Sequence, residues 1–219
     1  MVKRELLNCY PTAEGWWEEW RDTWLFDPVA TLTPDTTTNK AFQRAVNNSL
    51  TAFTSPDNAT TEFNATEYAN VQSADGVFAS HTATATRTTR YANVAHLFKF
   101  NANYADISDI TCFWKGYVTL ESYLAQKLQI YKASAWEDWL TTLPTTNTQY
   151  SKSIGNGAAY FYDTTWIRFG LYITARTPEP PITITLNTDY AALQITYGIV
   201  VAPKAGLPLA LIATILEEA

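Results

Sequence analysis

The chain has 219 residues and a formal net charge of -6; 47% of it is hydrophobic, 14% aromatic with eight Trp and thirteen Tyr, and only 16% charged, where about a quarter is usual. That is enough chain to bury the core of one large β domain with extended arms. The acidic balance excludes nucleic acid as a direct partner, because such binding rests on Lys and Arg neutralising phosphates.

Met1 is followed by Val2, Lys3, Arg4, Glu5, Leu6, Leu7 and Asn8, so no apolar core of a signal peptide develops, and the chain is expected either to be already mature or never to be secreted by that route. From Thr12 to Phe26, Trp16, Trp17, Trp20 and Trp24 recur at intervals of three and four among Glu18, Glu19, Arg21 and Asp22. This spacing fits a short amphipathic helix, and equally a strand with Trp16 and Trp20 on one face. Pro28 and Pro34 close the zone, and residues 36–39 read as a loop. Residues 1–40 are therefore taken as an N-terminal Trp-rich arm.

Residues 41–202 are expected to form the sandwich domain. It starts in a Thr- and Asn-rich tract with glycosylation triplets at Asn47, Asn58 and Asn64. Strands are expected at Tyr68–Gln72, Val77–Thr84, Val94–Phe100, Thr111–Leu120, Lys127–Lys132, Ala158–Tyr162, Trp166–Ala175, Ile182–Leu186 and Ala192–Val200. Between them stand turns at Asp75-Gly76, Asn101 to Asp109, Gly155-Asn156-Gly157 and Thr177 to Pro181. The alternation is sharpest near the end. Ile184 and Leu186, then Leu193, Ile195, Tyr197 and Ile199, alternate with Thr183, Thr185, Gln194 and Thr196, the period of strands with one buried face. Many such strands without a sustained helical pattern predict an all-β antiparallel sandwich of the jelly-roll kind.

Residues 203–219 form a second arm, where Leu207 to Leu216 is apolar on every side. Ten residues cannot cross a bilayer as a helix, which takes about twenty, so no membrane span and a soluble protein are expected. The tail must be buried all round, on its own core or as an arm adding to a neighbour's sheet edge or groove.

Little chemistry is set among the strands. Cys9 and Cys112 lie far apart and there are two histidines in all, too few for a structural zinc site; Cys112 beside Phe113 reads as a buried thiol, with a Cys9–Cys112 disulfide as the alternative. His81 and His96 are the candidate bases for a Ser or Cys nucleophile, but His96 shares parity with Val94, Phe98 and Phe100 and should face inward. No G-x-S-x-G, phosphate loop or dinucleotide fingerprint occurs. Glu137 and Asp138, between Trp136 and Trp139, form the nearest candidate carboxylate pair, though chain neighbours on a strand face opposite ways. Asp106, Ser108 and Asp109 read as a solvated turn between strands, with calcium held by Asp106 and Asp109 as the alternative, at a spacing too short for an EF-hand; no metal is expected. No cofactor or catalysis is expected. A sugar would be taken on exposed aromatic faces, and Trp136, Trp139, Tyr160, Tyr162 and Trp166 are the candidates.

Trp114 to Tyr117, then Leu128 to Lys132 and Trp136 to Trp139, resemble jelly-roll modules of the galactose-binding-like, carbohydrate-binding type. Trp166 to Ile173 resembles their penultimate long strand, and Asn187 to Tyr190 the lead into the last one. The resemblance covers about residues 68–200. It implies a sandwich found in sugar-binding appendages, adhesins and virion structural proteins. Two functions are expected from this. The first is a non-enzymatic coat, decoration or tail component of a virion, a homo-oligomer that also meets other structural proteins through Trp16, Trp17, Trp20, Trp24, Leu207, Leu209, Leu211, Ile212, Ile215 and Leu216. The alternative is a carbohydrate-binding or adhesive module, extracellular or at a cell surface, with a glycan as partner.

Overall fold

A computed structural model of the protein describes residues 3–6, 23–26, 28–47, 55–120, 124–176 and 181–198. The chain divides into two compact units, one formed by Val29–Tyr197 and the other by Met1–Pro28 with Gly198–Ala219. In the latter, β1 (Lys3–Leu6) and β2 (Thr23–Phe26) pair antiparallel. The other residues of the Trp-rich zone, with Trp16, Trp17 and Trp20, and the apolar tail lie outside the described residues.

The larger unit is an all-β antiparallel sandwich. Its elements are β3 (Val29–Leu32), β4 (Lys40–Val46), β5 (Thr61–Glu62), α1 (Ala65–Asn70), β6 (Ala79–Ala85), β7 (Tyr91–Asn101), β8 (Ile107–Leu120), β9 (Ala125–Lys132), β10 (Ala135–Leu140), β11 (Thr148–Ser153), β12 (Phe161–Tyr162), β13 (Trp166–Arg176) and β14 (Ile182–Tyr197). The first sheet runs β10-β9-β13-β7-β4-β5, with β12 also on β13; the second runs β11-β8-β14-β3, with β6 also on β14. Successive strands pass repeatedly from one sheet to the other, as in a jelly roll. Alternation supplies the core: Phe98 and Phe100 of β7, Phe169 and Leu171 of β13 and Ile130 of β9 face Ile110, Trp114, Ile184 and Leu193 of the second sheet, all fully buried. Phe100 and Phe169 stack with centroids 5.6 Å apart. Each such side chain contributes about 1.5–3 kcal/mol on leaving water.

Three expectations are corrected. The segment from Tyr68 is not a strand: Asn64 caps α1 by accepting hydrogen bonds from Thr66 N and Glu67 N, while the Glu67 carboxylate accepts from Asn64 N, a reciprocal capping box. One glycosylation triplet is thus a helix start. Second, Ile182–Leu186 and Ala192 onward are not separate strands but parts of β14. Its pairing with β8 shifts register between Thr188 and Tyr190; the extra residue, Asp189, is a bulge that moves the buried set from even positions to odd ones. Third, β10 and β11 were not expected at all, and Ala158–Tyr160 is a turn of 3-10 helix ahead of the two residues of β12.

The bulge carries a buried carboxylate. Asp189 accepts from Gly76 N at 2.8 Å and Asn147 Nδ2 at 2.7 Å, and pairs with Lys115 Nζ at 2.6 Å. One aspartate therefore ties two loops to β8, with its charge compensated in place.

Candidate functional site

A cluster of aromatic and charged side chains gathers on the outer face of the first sheet, at the β9–β10 and β12–β13 end. Arg168 lies on that face because its neighbours Ile167 and Phe169 point into the core. Its guanidinium carbon sits 4.0 Å from the Tyr131 ring centroid and 3.8 Å from that of Tyr162, with Trp136 at 5.6 Å. These distances suit cation–π attraction. Tyr131 meets Trp136 and Tyr162 edge-on, at 5.5 Å in both cases. Trp166 pairs across with Tyr162 and so shares the face.

A 3-10 turn, Pro56–Asn58, closes one side. Ser55 caps it by accepting from Asp57 N, and proline takes the first position, where no donor is needed. The turn can lie against the sheet because residue 170 is glycine; a Cβ there would come within 2.6 Å of Pro56 Cβ. Asp57 is thereby brought to the cluster. It accepts from Trp136 Nε1 at 2.7 Å and stands 3.6 Å from Arg168 Nη1.

Two tight turns present the aromatic rings. Lys132 pairs with Ala135, so Ala133 and Ser134 form a two-residue hairpin loop, and both have positive φ, 46° and 71°, as a type I′ turn requires. Asp163 and Thr164, before β13, also have positive φ, 53° and 61°. Strained backbone of this kind is costly and gathers at functional sites. Four of the six non-glycine residues with positive φ among those described flank this one cluster.

The structure therefore sorts the expected sugar-site residues. Trp136, Tyr162 and Trp166 share the outer face. Trp139 turns inward, edge-on to Phe169 at 5.9 Å, and Tyr160 packs on the core with Lys132 over its ring. Tyr131, Arg168 and Asp57 escaped the sequence analysis; the pairing of Tyr131 with Trp136 was hidden because Ala-Ser is not the usual I′ sequence. Glu137 and Asp138 face opposite ways: Glu137 binds Lys132 and Lys152, and Asp138 binds Lys127 and Gln129. Lysine hydrogen bonds hold the Glu137 carboxyl below its ordinary range. The Asp109 carboxylate is occupied by the hydroxyls of Ser153 and Thr111, and no group of three metal-ligating side chains occurs among the described residues.

The histidines form a relay across the sandwich. His81 Nε2 lies 3.0 Å from Glu67 Oε1, His81 Nδ1 lies 2.8 Å from His96 Nε2, His96 Nδ1 lies 2.9 Å from Thr188 Oγ1, and Thr188 Oγ1 accepts from Trp114 Nε1 at 3.1 Å. Burial favours neutral imidazoles, and with both rings neutral the carboxylate, which can only accept, sets the direction: His81 donates to Glu67, His96 to His81 and Thr188 to His96, while Thr188 accepts from the indole. Burial lowers the pKa of His81, and lowers that of His96 further. His96 is fully enclosed, and every ring nitrogen of the pair has a partner.

No protein-family model matches the sequence, and no curated protein matches it. Among solved structures, the N-terminal cellulose-binding domain from Cellulomonas fimi β-1,4-glucanase C is similar to this chain at 10% identity and a TM-score of 0.28, over 57% of this chain and 86% of that one. So loose a likeness carries no argument about what this chain binds.

Proposed function

We propose that the protein is a non-catalytic carbohydrate-binding module that takes a glycan on the outer face of the first sheet. The observation that carries this reading is the set of Tyr131, Trp136 and Tyr162 gathered around the Arg168 guanidinium, with Trp166 beside Tyr162 on the same face. Ring faces offer a pyranose apolar area, and Arg168 and Asp57 offer a donor and an acceptor to orient hydroxyls. Tyr162 is 44% exposed, large for a tyrosine that touches its neighbours this closely. A glycan ligand places the work outside the cell or on its surface. Apart from Trp24 of β2, the assembly role read from the arms depends on residues outside those described, whereas the aromatic cluster on the sandwich favours a ligand.

A glycan array followed by calorimetry tests the reading. Trp136→Ala and Tyr162→Ala should each weaken the best glycan about tenfold, or ~1.4 kcal/mol, without lowering the melting temperature by more than a few degrees. Trp139→Ala, which removes a core contact, should do the reverse. Unchanged affinity in both outer-face variants would end the proposal.

A further inference from the structure

The outer-face cluster continues across the sheet as a row. Lys40 of β4 pairs with Lys99 of β7, Lys99 with Arg168 of β13, Tyr131 of β9 stands one position beyond the Ile130–Phe169 pair, and Tyr131 pairs with Trp136 of β10. Four spacings of ~4.8 Å make the row about 19 Å long, the reach of an extended chain of rings rather than of one sugar. Three cations followed by two aromatics stand on one line.

The charges in this row do not cancel. Lys40 is matched by Glu62 at 2.8 Å. Lys99 and Arg168 share Asp57, which is past hydrogen-bond length from Arg168 Nη1. Two cations against one carboxylate leave a positive charge on a protein whose net charge is -6. Like charges directly opposite on neighbouring strands are destabilising, so folding alone gives no reason for this placement. Burial and the Arg168 charge hold the Lys99 ammonium below its ordinary value, and its Nζ lies 5.1 Å over the Phe42 ring.

Arg168 supplies the second observation. Its side chain is 9% exposed, and its buried Nε makes no hydrogen bond. Buried polar nitrogens ordinarily have partners. Here the guanidinium carbon lies 4.0 Å and 3.8 Å from the centroids of two tyrosine rings that stand edge-on to each other, a lodging that leaves donor capacity unspent.

We infer, resting on the sugar-binding reading above, that the ligand is an acidic glycan of the uronate type, whose rings lie on Trp136 and Tyr162 while a ring carboxylate is taken by Arg168 and Lys99. A planar carboxylate suits a guanidinium, because parallel N–H···O bonds give both strength and orientation.

The test is calorimetry on the full chain with four probes: a galacturonate hexamer, its methyl ester, cellohexaose and dextran sulfate. The expected result is that the free acid binds at least tenfold more tightly than the ester or cellohexaose, and more tightly than dextran sulfate. Raising salt should narrow the gap. Lys99→Gln and Arg168→Gln should each remove most of the acid's advantage; thermal melts check their folding, and Lys99, being partly exposed, remains informative if the Arg168 variant fails to fold. Equal binding of acid and ester would overturn the inference and leave the sugar reading standing. Dextran sulfate equal to the acid would also overturn it, reducing the site to a general anion patch. Binding of none of the four, with no glycan found on the array, would remove both.

Discussion

At the scale of single residues, the histidine relay makes a prediction about acid. Its direction, from Trp114 to Glu67, places an acceptor nitrogen on each imidazole against a donor hydrogen, so an added proton requires part of the relay to reverse or to break. Burial is the main cause of both lowered pKa values; at His96 the His81 charge adds to it, and at His81 it outweighs Glu67. The unfolded chain takes up these protons near pH 6.5 and the folded chain does not. Stability is therefore fully present above pH 6.5 and is lost as the pH falls below it, by up to ~1.4 kcal/mol per pH unit for each histidine. Urea midpoints measured from pH 8 to pH 5 should be level at first and then decline; a level profile throughout would show that the core accepts charged imidazole. Asp35 acts lower on the scale. Burial opposes its ionisation, but bonds from Thr37, Thr38 and Asn39 prevail and hold its pKa at about 2, so its contribution persists above pH 4 and fades toward pH 2.

At the scale of elements, the β9–β10 hairpin exposes what the sequence conceals. Its loop holds Ala133 and Ser134 at positive φ, where Asn and Gly are at home. Replacing them with Asn and Gly should raise stability by about 0.5–1 kcal/mol, read as a higher urea midpoint with an unchanged slope. A loss of stability would mean the loop is held by contacts of its own side chains. The same absence of an Asn-Gly signal explains why β10 was missed and, with it, the pairing of Tyr131 with Trp136. Elsewhere the alternation was legible: β7, β8, β9 and β13 came within a few residues of their observed bounds, because one face of each is buried in a continuous core. The change of parity between Leu186 and Leu193 was also visible in the sequence, but its meaning as a bulge depends on the partner strand. Asn64-Ala65-Thr66-Glu67 could be read as a capping box, yet it also forms a glycosylation triplet, and Tyr68 beyond it invites a strand. Arg168 gave no local sign at all, since its surroundings come from β9, β10, β12 and the turn at Pro56.

At the scale of the whole molecule, the division at Val29 and Tyr197 can be tested directly. A fragment of residues 29–198 should melt in one cooperative transition and keep the glycan affinity of the full chain, because both sheets of the sandwich and the aromatic row lie within it. Light scattering on both proteins then measures what the arms do: a larger species in the full chain alone is the outcome expected if they join subunits, and monomers in both cases would refute that role. Loss of a cooperative transition in the fragment would show that the sandwich is incomplete without its termini.

Cys112 sits on β8 with no part of its surface open to solvent, and burial pushes its thiol well above the ordinary value. A thiol that is both sealed and protonated is inert. It lies between the sheets, so an alkylating reagent can reach it only when they part. Mass mapping of the modified peptide over time would make this one sulfur a stopwatch for the opening of the sandwich.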